Sequence, residues 1–77
     1  MEINSNRKFK VQISSLIVED FTIDLDEIIN NPDALEVIYA MNEILDKILD
    51  LKLNESMYFQ PNRDNNKSKG IITRLSF

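Results

Sequence analysis

The chain has 77 residues, a net charge of −4 at neutral pH, and neither Cys nor His. This length predicts a single domain over residues 1–77. The missing residue types exclude disulfide bonds, thiol nucleophiles, imidazole bases and the usual zinc sites. A core of this size leaves roughly 3–5 kcal/mol of net stability, so such domains rely on close packing or oligomerisation when disulfides and metals are lacking. The composition therefore favours a self-associating chain.

Charge is unevenly distributed along this acidic protein: residues 1–18 carry +2, residues 19–55 carry −9 and residues 56–77 carry +3. Differently charged solvent faces of separate elements are the simplest explanation. No apolar run approaches the ~20 residues of a membrane span, and no signal-peptide pattern opens the chain. We therefore expect a cytoplasmic protein, or a virion component if its role is structural. Ile, Asn and Lys supply 26 residues, a bias of AT-rich genomes that is compatible with a phage gene.

Residues 1–6 show no periodic pattern and are expected to be a flexible terminus. From Arg7 onwards, Phe9, Val11 and Ile13 alternate with polar residues, which predicts a half-buried strand. Residues 19–25 also alternate, but the Glu-Asp pair that would form the turn is poor chemistry for a two-residue hairpin. Whether residues 19–25 form an extra strand is left open.

A short helical turn is predicted next, because Asp24 and Glu27 have the spacing of a capping box. The main element is one long amphipathic helix over residues 32–53. Asn31 is a good N-cap, and Pro32 is suited to the first helical position. Asn54 can adopt the left-handed conformation that follows many helices. The apolar arc of this helix spans roughly 160°, wider than a core-facing stripe requires, and comprises Val37, Ile38, Met41, Ile44, Leu45, Ile48, Leu49 and Leu51.

The remaining elements are a short strand over residues 56–60, stopped by Pro61, and a last strand over residues 71–77. Between them, residues 61–70 are expected to be a mobile basic hairpin loop. The order is β, an optional β, short α, long α, β, β. It predicts a two-layer α+β domain with a three- or four-stranded antiparallel sheet packed on the long helix.

The residue types present do not indicate an enzyme. One Gly cannot build a phosphate loop or a dinucleotide-binding turn, and the carboxylate pairs fall on caps or on a solvent-facing helix side. The residues Asp64-x-Asn66-x-Ser68 resemble the opening of a calcium-binding loop. The match does not continue, because Lys69 occupies the position of the turn Gly. We expect a non-enzymatic protein with no cofactor, no metal and no small-molecule substrate.

Three modes of binding remain. The favoured interpretation is a protein–protein interaction module, a homo-oligomer or a small accessory subunit of a larger assembly. The wide apolar arc favours it, as does a last strand that could pair with another chain at a sheet edge. Acidic residues on the solvent side of the long helix are the candidate partner-binding residues: Glu36, Glu43, Asp46 and Asp50.

The second interpretation uses the same acids differently. Spaced along a rigid helix, they could imitate DNA phosphates and occupy the basic groove of a host DNA-binding protein, as a phage-type inhibitor would. Lys47 interrupts the acidic row.

The third interpretation is weak nucleic-acid binding through the basic loop and the strand that follows it. Its candidate contacts are Arg63, Lys67, Lys69 and Arg74. The acidic balance of the whole chain argues against it.

Overall fold

A computed structural model of the protein describes residues 4–14, 18–61 and 68–76. The architecture is a small α+β domain in which a four-stranded antiparallel sheet carries helices on one side. The elements in chain order are β1 (Lys8–Ser14), β2 (Val18–Asp24), α1 (Leu25–Asn30), α2 (Glu36–Glu43), α3 (Leu45–Leu49), β3 (Ser56–Phe59) and β4 (Lys69–Arg74). The predicted class is confirmed, and the open question about residues 19–25 is answered by β2.

The four strands are arranged in the order β2-β1-β4-β3. β1 pairs with β2 from Lys8 opposite Asp24 onwards, and with β4 on its other side. We expected the last strand to offer a sheet edge, and this was wrong. β4 lies between β1 and β3, so the two edge strands are β2 and β3.

Alternation along the strands decides which side of the sheet is buried. Phe9 and Val11 are fully buried, whereas Gln12 and Ser14 are exposed. Ile23 and Ile72 face the same side, because each lies opposite one of these buried β1 residues. The helices cover this side only, and they complete the core with Leu25, Ile28, Ile38, Met41, Ile48 and Leu51.

The short helix α1 begins where the capping box predicts. Asp24 has an extended backbone, and its Oδ1 accepts a hydrogen bond of 3.0 Å from the main-chain N–H of Glu27. Residues 4–6, expected to belong to a flexible terminus, form a turn that is joined to this helix, since Asp26 N donates to Ser5 O at 2.9 Å. Asn42 Nδ2 donates to Ile28 O at 3.0 Å and connects α1 to α2.

The predicted long helix over residues 32–53 is wrong at its start. Asn31 ends α1 instead of beginning α2, because its N–H donates to Glu27 O at 3.1 Å. A residue before proline is also pushed away from helical dihedrals. The chain turns here, with Ala34 N bonded to Asn31 O at 3.1 Å, and α2 begins at Glu36 after the extended Leu35.

The long helix is also interrupted in its middle. Ile44 has φ −112° and ψ 27°, outside the helical region, and its N–H donates to Met41 O at 3.2 Å. This i→i−3 bond tightens the chain for one residue, after which α3 begins at Leu45. The break follows from the wide apolar arc, since a straight helix cannot turn roughly 160° of its surface towards one sheet face. With the change of direction, all eight arc residues become buried or half-buried.

The return to the sheet uses Asn54, which has φ 66° and takes the predicted left-handed conformation. β4 begins at Lys69, two residues earlier than predicted, and this places the only glycine inside a strand. Gly70 lies opposite Phe59, and a Cβ added there would lie 2.6 Å from Cε1 of the Phe59 ring. The ring therefore occupies the space that a side chain at Gly70 would need.

Candidate partner-binding groove

A groove of about 650 Å³ runs between helix α2 and edge strand β3. We call it the α2–β3 groove. Its helix side includes Glu36, Tyr39, Glu43 and Ile44, and its strand side includes Met57 and Phe59. Mixed apolar and acidic walls beside a strand edge can accommodate a polypeptide segment.

The outer edge of β3 adjoins this groove. Within the described ranges, β3 pairs with β4 and no strand pairs with its other side. Arg74 N donates to Glu55 O at 3.1 Å, so the carbonyl group of Glu55 faces β4. Because these groups alternate in direction along an antiparallel strand, those of Met57 and Phe59 also face β4. Those of Ser56 and Tyr58 face the open edge.

Side chains of β3 alternate in the same way between the two faces of the sheet. Met57 and Phe59 are half-buried and pack against the core. Tyr58 lies opposite Ile71 on the outer face and is 77% exposed, more than any other large apolar or aromatic residue in the described chain. Ser56 Oγ lies 2.6 Å from Thr73 Oγ1, which binds β3 to β4 across this face. The strand itself carries no charge.

Helix α2 and the break after it separate the predicted acidic residues. Glu36 and Glu43 lie on α2 and line the groove together with Lys47. Asp46 lies on α3 and Asp50 is its C-cap; both are exposed and neither lines the groove. The structure thus brings two of the four candidates into one groove and places the other two beyond Ile44.

The predicted basic residues are also divided. Arg63 and Lys67 lie outside the described residues. Lys69 is exposed on β4, whereas Arg74 is half-buried and donates from Nη1 to Leu51 O at 2.8 Å and from Nε to Ser76 O at 2.9 Å. The Arg74 guanidinium therefore binds the end of the helical layer to the sheet.

Asp24 and Arg7, two side chains whose pKa values are shifted, lie near the junction of β1, β2 and α1. The hydrogen bond from the Glu27 main chain lowers the pKa of Asp24, burial acts in the opposite direction, and Lys8 adds to the lowering. Lys8 Nζ lies 3.4 Å from Asp24 Oδ2. Burial, followed by the charge of Arg74, lowers the pKa of Arg7. The interactions of Asp24 with Glu27 and Lys8 stabilise the junction of β1, β2 and α1, which is remote in sequence from the groove.

Sequence reasoning identified the acids of the groove but not the groove itself. Its apolar part, Tyr39, Ile44 and the inward side of β3, is created by packing α2 beside an edge strand. One signal was present: a strand of four uncharged residues, stopped by a proline, is typical of an edge.

Comparison with known protein families, with curated proteins and with solved structures found no match to this chain. In the described part of the chain, no helix is long and apolar enough to cross a membrane. Residues 4–14, 18–61 and 68–76 also contain no group of three acidic residues placed to hold a metal ion. The α2–β3 groove is therefore the feature from which we infer a function.

Proposed function

We propose that this chain is a non-enzymatic protein–protein interaction module, which self-associates through the α2–β3 groove and the open edge of β3. One observation carries the proposal: an uncharged edge strand, with main-chain groups directed outward, borders a groove of about 650 Å³. Strand addition at such an edge gains main-chain hydrogen bonds, and the neighbouring depressions bind alternate side chains.

The exposed surface near the groove supports this function. Tyr58 is 77% exposed and Tyr39 is 43% exposed, on the strand side and the helix side respectively. Tyrosine is enriched at protein interfaces because it combines a large apolar body with a polar tip. Association would cover both rings and would add buried apolar area to a domain that has no Cys for disulfide stabilisation.

Sedimentation over a wide concentration range tests the proposal. The wild-type chain is expected to form dimers or small oligomers in a concentration-dependent manner. Tyr58→Lys is expected to weaken association at least about tenfold, equivalent to about 1.4 kcal/mol, because it places a charge on the pairing edge.

Thr22→Lys is the matched control, since Thr22 is exposed on the same outer face but lies on β2. It should leave association unchanged. A wild-type chain that remains monomeric at millimolar concentration would contradict self-association. Equal effects of the two lysines would contradict the assignment to β3.

A further inference from the structure

The residues of β3 and the one that follows form a pattern that reads the same in both directions. Ser56 and Gln60 are polar, Met57 and Phe59 are apolar, and Tyr58 stands at the centre. When two identical strands pair antiparallel about a central residue, each position meets the one equally far on the other side of the centre. In such a pair, polar residues therefore lie opposite polar residues, and apolar residues lie opposite apolar residues.

We infer that two copies of the chain associate about a two-fold axis at Tyr58, with β3 pairing antiparallel to β3 of the second copy, so that two four-stranded sheets join into one of eight. This inference rests on the proposed function and specifies its partner and register. A two-fold interface uses the same surface on both copies, so that surface must be complementary to itself. The strand meets this requirement because its pattern of polar and apolar residues is symmetric about Tyr58.

Main-chain geometry restricts the axis to a residue rather than a point between two residues, and the neighbouring side chains select Tyr58. The N–H and C=O groups of Ser56 and Tyr58 face the open edge, so outward residues must pair with outward residues. With Tyr58 opposite itself, Ser56 meets Gln60, and Met57 meets Phe59 of the other copy. Shifting the axis to Met57 would place Phe59 opposite Glu55, and shifting it to Phe59 would place Met57 opposite Pro61, where the strand ends.

The groove lies on the side of the sheet where such pairing adds apolar surface. In a continuous sheet, the helical layers of both copies lie on the same side. Met57 and Phe59 pack against their own core on that side, so pairing would place the two copies' α2–β3 grooves next to each other along the joined strands. On the outer face, the two exposed Tyr58 rings would lie side by side, as aromatic cross-strand pairs do.

The charges of the two edge strands favour β3 over β2 as the strand that pairs with a second copy. Self-pairing sets like charges of two identical strands near each other, which is destabilising. β3 and Gln60 contain no charged residue, whereas β2 contains Glu19, Asp20 and Asp24. Of the two described edge strands, β3 has no carboxylate that pairing with its own copy could bring near another, whereas β2 has three.

Single-cysteine variants test the register, because the natural chain has no Cys. Residues in a hydrogen-bonded antiparallel pair have Cα atoms ~5.5 Å apart, within the ~4.4–6.8 Å range of disulfides. Tyr58→Cys should therefore form a covalent dimer under mild oxidation. Ser56→Cys alone should not, since its two copies would be offset by four residues, about 13 Å along the strands. A mixture of Ser56→Cys and Gln60→Cys should cross-link heterotypically.

The outcomes separate this inference from the proposed function. Cross-linking of Tyr58→Cys, with the Ser56/Gln60 mixture, supports the two-fold axis at Tyr58. If the wild-type chain dimerises but Met57→Cys or Phe59→Cys is the variant that cross-links, or if none does, the inference is overturned and self-association stands. If the wild-type chain sediments as a monomer and no variant cross-links, both fail.

Discussion

The two edges of the sheet differ in length, charge and surroundings. β2 is seven residues long and contains three acids, with Asp24 at its end bonded to Glu27 and close to Lys8. β3 is four residues long, contains no charge and borders a groove. Charged residues on an edge strand oppose unwanted pairing with other chains. We interpret β2 as a charge-protected edge, and our proposal assigns association to β3.

The largest effect is expected from filling the space opposite Phe59. Gly70→Val places side-chain atoms where the Phe59 ring lies, 2.6 Å from the added Cβ, so the ring must move. Displacing it should reduce the free energy of unfolding by about 1–3 kcal/mol. Hydrogen exchange at the amides of Met57 and Phe59 should accelerate, while exchange in β2 changes less.

Lys69→Val provides the matched control, because it adds the same side chain one position earlier, where the residue is exposed. Its effect should stay within about 0.5 kcal/mol. Chemical denaturation measures both variants. Equal destabilisation by the two would contradict the close fit of Phe59 over Gly70.

Removing the exposed ring tests the association directly without adding charge. Tyr58→Ala should weaken self-association about tenfold, or about 1.4 kcal/mol, since aromatic interface residues contribute most when they are truncated. Thr22→Ala on β2 should have no effect. Sedimentation equilibrium compares the two, and an unchanged dissociation constant for Tyr58→Ala would contradict a role for this ring.

Removing acidic residues from β2 should increase self-association, by less than Tyr58→Ala decreases it. Glu19→Thr together with Asp20→Thr leaves β2 with one acid, at Asp24. Weak association at this second edge should then produce species larger than those of the wild type at high protein concentration. Light scattering would detect them. An unchanged size distribution would mean that charge is not what protects β2.

The smallest effect concerns acid stability at the end of β2. The folded pKa of Asp24 lies below its ordinary value, so its stabilising contribution is complete above the unfolded pKa of about 3.9 and is lost as pH falls through the lower folded pKa. Asp24→Asn keeps a good N-cap but removes this titration. Its melting temperature should fall less than that of the wild type below about pH 4. Parallel melting curves would contradict the assignment.

Local signals were enough to predict much of the fold. The alternation of Phe9, Val11 and Ile13 predicted β1, and the spacing of Asp24 and Glu27 predicted the start of α1, because both depend on neighbours in sequence. The break at Ile44 was missed since no Gly or Pro lies between Val37 and Leu51 and the apolar period continues through the segment. Only the limited width of the sheet surface requires it to change direction.

The groove was less predictable than the fold, because it is formed by packing between elements that are distant in sequence. Glu36 and Glu43 were identified from their exposure on a helix, but the break that separates them from Asp46 and Asp50 follows from packing. The strand order was equally hidden, because the pattern of residues 71–77 does not reveal that β4 lies between β1 and β3. The open edge was therefore assigned to the wrong strand.

Residue-resolved hydrogen exchange at several protein concentrations tests the central claim most directly. If β3 is the associating edge, the outward amides of Ser56 and Tyr58 should become increasingly protected as concentration rises, and those of β2 should not. Protection of Ser56 and Tyr58 that does not depend on concentration, or protection that appears along β2 instead, would contradict the account.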